Sequence, residues 1–301
     1  MEVLEYLQTL RTPLGDKLNL MFSAIGQEAV VVMVMCVIFW CMDRKFGYRI
    51  GFSFFLSGVA VQTLKIIFKI PRPWILSKSI TPVEGAKEAA TGYSFPSAHT
   101  QGATSLYGAI AYNVRKKVVQ FVMLIIILLI AFSRMYLGVH SPMDVSVALV
   151  LSFAITYAVN YAIDKKVVYK FSMEQILAVL LVIPVAMLVM CVIQVGMYHT
   201  AIEHILDLIK FAGAAVGFLF GWYLENKYLK FDASKGSVSE KVLRVAIGVV
   251  IILLIKTLLK PMEREFYVFG FVRYFIILFF GIFVYPYLFT KIPNRKKGLK
   301  K

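Results

Sequence analysis

Apolar stretches long enough to cross about 30 Å of hydrocarbon recur along the whole chain, each parted from the next by a short polar cluster. A crossing helix needs roughly 17 to 25 residues. Segments of that kind lie near residues 25–42, 48–69, 97–113, 118–137, 143–163, 174–196, 204–224, 243–260 and 266–289. The pattern predicts an all-α fold, a polytopic transmembrane helical bundle of about nine spans with no separate soluble domain. The third segment is the least apolar, because it carries His99, Thr100, Gln101, Thr104 and Ser105, so one of its sides must face protein or water. The first twenty residues mix Glu2, Glu5, Arg11, Asp16 and Lys17 with scattered apolar positions. They read as a short interfacial helix and not as a cleavable signal peptide.

Composition supports a bilayer: 59% of the 301 residues are hydrophobic and the mean hydropathy is +0.75. The formal charge of +16 does not point to nucleic acid, because the cations sit in clusters between spans. Arg44, Lys45 and Arg49 follow the first span, Arg115 to Lys117 the third, Lys165, Lys166 and Lys170 the fifth, and Lys227 to Arg244 the seventh. With the tail from Lys291 to Lys301, every odd-numbered span ends in a basic cluster, as the positive-inside rule demands. Those segments and the C-terminus are expected to be cytoplasmic, and the N-terminus and even-numbered connections extracytoplasmic or lumenal. Cys36, Cys41 and Cys191 have no metal-binding or redox spacing and read as small buried hydrophobes.

Three polar clusters then fall at one membrane face. The first runs from Lys65 to Arg72-Pro73 at the end of the second span, and the second, Phe95-Pro96-Ser97-Ala98-His99, opens the third. The third, from Ser133-Arg134 to His140 and Asp144, joins the fourth span to the fifth. Ionisable groups near span ends are costly unless paired or wet, so such clusters are functional candidates. Phosphoryl transfer needs charge neutralised on three oxygens, a nucleophile in line and a proton for the leaving group. Lys65, Arg72 and Arg134 supply the charge, the arginines as bidentate forks. The helix start at Ser97 aims its hydroxyl and the N–H groups near Ala98 and His99 at an anion. His140 is the expected nucleophile and His99 the general acid. Asp144, four residues on, orients the His140 ring. The expected chemistry uses no metal and no cofactor.

Lys-x6-Arg-Pro, Pro-Ser-x-His and Ser-Arg-x5-His-x3-Asp, in this order, resemble the three signature motifs of the type 2 phosphatidic acid phosphatase and vanadium haloperoxidase superfamily. The resemblance implies metal-independent hydrolysis through a phosphohistidine, with the roles above falling on Lys65, Arg72, Ser97, His99, Arg134, His140 and Asp144. Ala98 departs from the family's usual glycine, and a left-handed backbone there would cost alanine roughly 1 kcal/mol. Sphingosine-1-phosphate phosphatases resemble the chain in placing a small non-glycine residue at that position. A nine-span plan is similar to that of glucose-6-phosphatases. The family's six-span phosphatase core implies a division into residues 1–196, with the motifs at 65–144, and residues 197–301, three additional spans and a basic cytoplasmic tail.

Each cluster also has an ordinary reading. Ser141-Pro142-Met143-Asp144 has the form of a capped helix start, Pro96-Ser97 that of another, and Lys65, Lys69 and Arg72 that of snorkelling residues. Three of them in order at one face favour catalysis. Glu203, Asp207 and Lys210 share a helix face, and with His199 and His204 they either border the substrate entrance or form a solvated loop and ion pair. Gln62, Asn160, Gln194 and Asn226 read as interhelical hydrogen-bond partners or span-end residues. Gly213, Gly217 and Gly221 form a small-residue ridge for close packing onto the core or for a homodimer face. Trp74, Tyr93 and Phe95 either line a chain entrance or anchor the interface.

The expected activity is removal of the terminal phosphate of a membrane lipid: a phosphatidate, a sphingoid-base phosphate or a polyprenyl pyrophosphate. A soluble phosphoester, a non-catalytic binder or transporter of lipid phosphate, and a phosphotransferase are the alternatives the residues leave open.

Overall fold

The computed structural model describes residues 1–88 and 90–298, without the side chains of residues 168, 169, 264, 265 and 292–298. The end of the expected basic tail, residues 299–301, lies outside the described residues. The described chain is helical: α1 (Glu2–Thr9), α2 (Pro13–Ile25), α3 (Glu28–Cys41), α4 (Arg44–Phe68), α5 (Pro73–Leu76), α6 (Ala98–Val114), α7 (Lys117–Tyr136) and α8 (Pro142–Asp164) are followed by α9 (Met173–Gly196), α10 (Leu206–Leu224), α11 (Val238–Leu258), α12 (Lys260–Glu265), α13 (Val268–Phe279) and α14 (Tyr285–Gly298). Among the described residues, seven helical stretches are long and apolar enough to cross a membrane, or eight if α2 and α3, broken at Gly26 and Gln27, count as one.

That number is lower than the nine expected, for two reasons in the sequence. The N-terminal segment forms two helices, α1 and α2, and the first apolar stretch lies on α3, which has only 14 residues and is parted from α2 by a bend. The third expected span is present as α6, whose 17 residues are the shortest that can cross and whose interior face is polar.

The chain forms two compact units, Met1–Val32 with Phe52–Val167 and Ala201–Ile205, and Met33–Gly51 with Val168–Thr200 and Leu206–Lys301. This spatial grouping is not sequential: α9, the sixth span counted from the N-terminus, falls among the later helices.

In the first unit α6 is central, packed against α7 and α8, while α2 packs on α7. Its polar residues face protein. Gln101 Nε2 donates to the Phe54 carbonyl at 3.0 Å and to Ser57 Oγ at 2.8 Å, and Ser57 and Ser105 hydroxyls meet at 2.6 Å. Asn160 of α8 donates to Ser53 at 3.1 Å and accepts from Asn113 at 2.8 Å, so it is an interhelical partner as its sequence context implied. Where water is absent such bonds fix helix register, each worth about 0.6 to 2 kcal/mol. The seam ties α4, α6 and α8 together, and the site is built at the end of α4 and the starts of α6 and α8.

In the second unit the glycine ridge of α10 is covered by α13 and the turn that follows it, residues 280–284. A Cβ at Gly213 or Gly217 would collide with the Phe271 or Phe275 carbonyl oxygen, and one at Gly221 would lie 2.9 Å from Ile282. The ridge thus serves packing within one chain. Lys210 bonds Asp207 at 3.8 Å, the expected intrahelical pair, and Glu263 at 2.8 Å. Glu225, fully buried, accepts from Arg44 at 2.8 Å and from the Tyr48 hydroxyl at 2.5 Å. Cys36 and Cys191 are buried as free thiols, and Cys41 is half-buried.

Candidate active site

Each residue assigned from the sequence sits at the end of an element. Lys65 lies in the last turn of α4, Arg72 caps α5, Ser97 caps α6, and Ala98 and His99 open it. Arg134 is in the last turn of α7, His140 in the following turn, and Asp144 is the third residue of α8. All these belong to the first unit.

The tight connection between α7 and α8 fixes His140. Gly138 turns the chain at φ +73°, which glycine adopts without a Cβ penalty, and the N–H groups of Val139 and His140 both donate to the Arg134 carbonyl at 3.2 Å. The His140 ring is 1% exposed. Its Nε2 lies 2.9 Å from Arg72 Nη1. Arginine has donors only, so Nε2 must present a lone pair to it and the ring proton belongs on Nδ1. Burial pushes the His140 pKa well below the ordinary histidine range, and the nearby Arg72, Arg134 and Lys65 cations push it further. The imidazole is neutral, the form a nucleophile needs.

Asp144 stands on the other side of the ring, its Oδ2 3.5 Å from His140 Nδ1. The same oxygen accepts the Ser141 N–H at 2.7 Å and the Ser94 hydroxyl at 2.6 Å. Ser141 returns the bond through its own Oγ to the Asp144 N–H at 3.2 Å, completing a capping box with Pro142 at the first helical position. The helix-start reading and the orienting reading of Asp144 are therefore compatible: the cap holds the carboxylate beside the ring.

Two cations are held by backbone carbonyls. Arg72 Nε donates to Gly92 at 3.1 Å, Nη1 to Val139 at 3.1 Å and Nη2 to Thr91, while Lys65 Nζ donates to Tyr93 at 2.6 Å. Arg134 differs. Its Nη1 donates to Ser23 Oγ of α2, but among the described residues its buried Nε and Nη2 have no hydrogen-bond partner, and neither has His99 Nε2. A buried donor left unmade costs about 1 to 3 kcal/mol, so these groups call for an acceptor. At the α6 start, Ser97 N–H is used by the Asp144 carbonyl at 3.0 Å, and Ser97 Oγ accepts from Thr100 Oγ1 at 3.0 Å. That leaves the Ser97 hydroxyl hydrogen and the Ala98 and His99 N–H groups, which have no intrahelical acceptor, free to bind an anion. Ala98 is not among the residues with positive φ, so it carries none of the strain that a left-handed alanine would.

Sequence reasoning did not single out Ser94 or the carbonyls of residues 91–93, nor Ser23. Of the flanking aromatics, Phe95 is buried edge-on against Phe68 at 5.2 Å, and Trp74 packs on a cluster containing Tyr136, Leu137 and Val139. Tyr93 stacks on His204.

A helical membrane protein with three cations, two histidines and one carboxylate gathered at its helix ends is thus defined. Residues 46–168 match the PAP2 superfamily, and residues 209–297 match the family described as PAP2 superfamily phosphatase, transmembrane extension; the chain belongs to the PAP2 superfamily. It is 29% identical over 132 residues to undecaprenyl-diphosphatase BcrC of Bacillus subtilis (strain 168), covering 44% of this chain and 65% of that one. It is 30% identical over 123 residues to phosphatidylglycerophosphatase B of the same organism, covering 36% and 60%. A probable sphingosine-1-phosphate phosphatase of Dictyostelium discoideum is 26% identical over 159 residues, covering 48% and 38%. The chain therefore spans less than two thirds of the length of each of these relatives. Among solved structures, Aquifex aeolicus LpxE aligns with a TM-score of 0.48 at 23% identity over 53% of this chain and 93% of that one.

Proposed function

We propose that this protein is an integral-membrane phosphatase that removes the terminal phosphate of a lipid phosphate through a phosphohistidine on His140. The observation that carries the reading is the pairing of a neutral buried His140 with donors that lack acceptors: Nε2 faces Arg72, and Arg134 Nε and Nη2 and His99 Nε2 are buried without partners. A phosphoryl group supplies the missing acceptors. The three relatives, whose names place them on polyprenyl diphosphate, phosphatidylglycerophosphate and sphingosine 1-phosphate, support a lipid substrate.

In this mechanism His140 Nε2 attacks phosphorus, forming the N–P bond as the P–O bond to the leaving alkoxide breaks. His99 takes up the proton that the substrate's phosphate monoanion brings into the site, gives it to that alkoxide and is left neutral. Lys65, Arg72 and Arg134, with the Ser97 hydroxyl and the first N–H groups of α6, hold the equatorial oxygens. Asp144 stabilises positive charge on the His140 ring and keeps its Nδ1–H tautomer. Water, deprotonated by His99, then releases inorganic phosphate and restores His140. Charge neutralisation by these side chains needs no divalent metal. The alternation of basic clusters supports an extracytoplasmic or lumenal site with a cytoplasmic C-terminus.

The test is phosphate release from phosphatidate, sphingosine 1-phosphate and a polyprenyl diphosphate in mixed micelles containing a chelator. The parent should turn over at least one of them, and His140→Ala none. Equal release by parent and His140→Ala would end the assignment.

A further inference from the structure

Residues 91–94 each give one group to a charged side chain of the site. The Thr91 and Gly92 carbonyls accept from Arg72, the Tyr93 carbonyl accepts from Lys65 at 2.6 Å, and the Ser94 hydroxyl donates to Asp144 at 2.6 Å. A small rotation of this stretch would therefore move two cations and the orienting carboxylate together. Yet it is irregular backbone near the surface: Thr91 is exposed, Gly92 and Tyr93 are half-buried, and Gly92 has φ +59°. On its inner side the Ser94 N–H donates to the Ile70 carbonyl at 2.8 Å. On its outer side the Tyr93 ring lies flat on the ring of His204, with centroids 4.6 Å apart and planes 19° from parallel.

His204 comes from the short 3-10 turn Ile202–His204 between α9 and α10, and that segment belongs to the same compact unit as the site. The turn is anchored by Ile205, which is 2% exposed. The imidazole is not placed by hydrogen bonding: its Nδ1 is buried without a partner, and its Nε2 is 3.9 Å from Glu203, beyond hydrogen-bond reach. Its ring packs on Tyr93, in the stacked geometry that aromatic pairs favour.

We propose that His204 is a positioning residue of the active site, clasping Tyr93 so that the 91–94 backbone holds Lys65, Arg72 and Asp144 in working geometry. The inference rests on the proposed phosphatase reading for its kinetic consequence, though not for the clasp itself. It gives the segment between α9 and α10 a part in a site otherwise built from residues 65–144 and Ser23.

The experiment compares parent, His204→Ala, His204→Phe, Tyr93→Ala and the double variant Tyr93→Ala/His204→Ala as full-length protein in detergent. Loosening a loop that orients catalytic groups should lower kcat of His204→Ala by about tenfold to a hundredfold, whereas His204→Phe, which keeps a stacking ring, should stay within about twofold of the parent. The double variant should lose no more than Tyr93→Ala alone, because both changes remove one contact. Equal losses in His204→Phe and His204→Ala, full activity in His204→Ala, or multiplicative losses in the double variant would each overturn the clasp. A second arm is independent of activity: trypsin cleavage after Lys78 and Lys87, both exposed in the connected loop, should be faster in His204→Ala and unchanged in His204→Phe. Should no variant, the parent included, release phosphate, the phosphatase reading fails and this rate alone decides; an unaltered rate in His204→Ala then overturns the clasp.

Discussion

Oδ2 of Asp144 lies 3.5 Å from Nδ1 of His140 while receiving the Ser141 N–H at 2.7 Å and the Ser94 hydroxyl at 2.6 Å. Two donors shorter than the histidine contact hold the carboxylate, and the histidine is then set against a fixed anion. Asp144→Asn keeps the shape and removes the charge, so kcat should fall about a hundredfold or more while the fold survives. Ser94→Ala removes one donor and should lower kcat by about tenfold with a smaller change in KM. Steady-state kinetics on a turned-over lipid phosphate checks both, and an unimpaired Asp144→Asn would reduce Asp144 to a helix cap.

The role of His99 can be separated from simple phosphate binding by the leaving group. General acid catalysis contributes about 10²- to 10⁴-fold when an alkoxide must be protonated. His99→Ala should lose that much on an alkyl phosphate and far less on p-nitrophenyl phosphate, whose phenolate leaves without a proton. Equal losses on the two substrates would remove His99 from the acid role.

Ala98 opens α6 with a backbone that alanine accepts. Ala98→Gly should therefore leave kcat/KM within about threefold, with at most ~1 kcal/mol of stability lost to backbone entropy. A tenfold gain in kcat/KM would show that the methyl group obstructs the anion site.

The depressed pKa of His140 makes stability depend on pH. Its cause is burial first, then Arg72, Arg134 and Lys65. The unfolded chain takes up a proton near pH ~6.5, where the folded ring remains neutral. This contribution is full above that pH and is lost as pH falls from there toward the folded value. Thermal inactivation midpoints in detergent should drop between about pH 7.5 and 5, and the drop should be smaller in His140→Gln. An identical slope in the variant would assign the effect to other groups.

The α10 ridge predicts a packing defect. At Gly217 a side chain would meet the Phe275 carbonyl, which cannot rotate away. Gly217→Val should cost about 1 to 3 kcal/mol by overpacking, seen as a lower midpoint of thermal inactivation. An unchanged midpoint would show that α10 and α13 can part without loss.

What the sequence revealed of the site was what contiguous residues carry. Lys65, Arg72, Ser97, His99, Arg134, His140 and Asp144 each stand in a short segment whose spacing sets a helix end, so their placement at one face followed from the order of the spans. The groups that position them left little trace. The carbonyls of Thr91, Gly92 and Tyr93 bind through backbone that any residue would present, and Ser23, which receives Arg134, comes from a helix more than a hundred residues away. His204 was visible as a polar residue near a helix start, but its ring contact depends on tertiary folding. The helical class was legible in the same way, from apolar length. The break between α2 and α3 was harder to read, whereas the polar side of α6 was legible in Thr100, Gln101, Thr104 and Ser105 and meets protein at the Gln101–Ser57 seam.

The seating of α13 against Gly213 and Gly217, and of Ile282 against Gly221, also has a consequence for biosynthesis. The partner of that glycine face follows α11 and α12 in the chain, so α10 must enter the membrane before the surface made for it exists. Until residues 271–282 follow, that face of α10 presents a strip of backbone with no side chains to cover it.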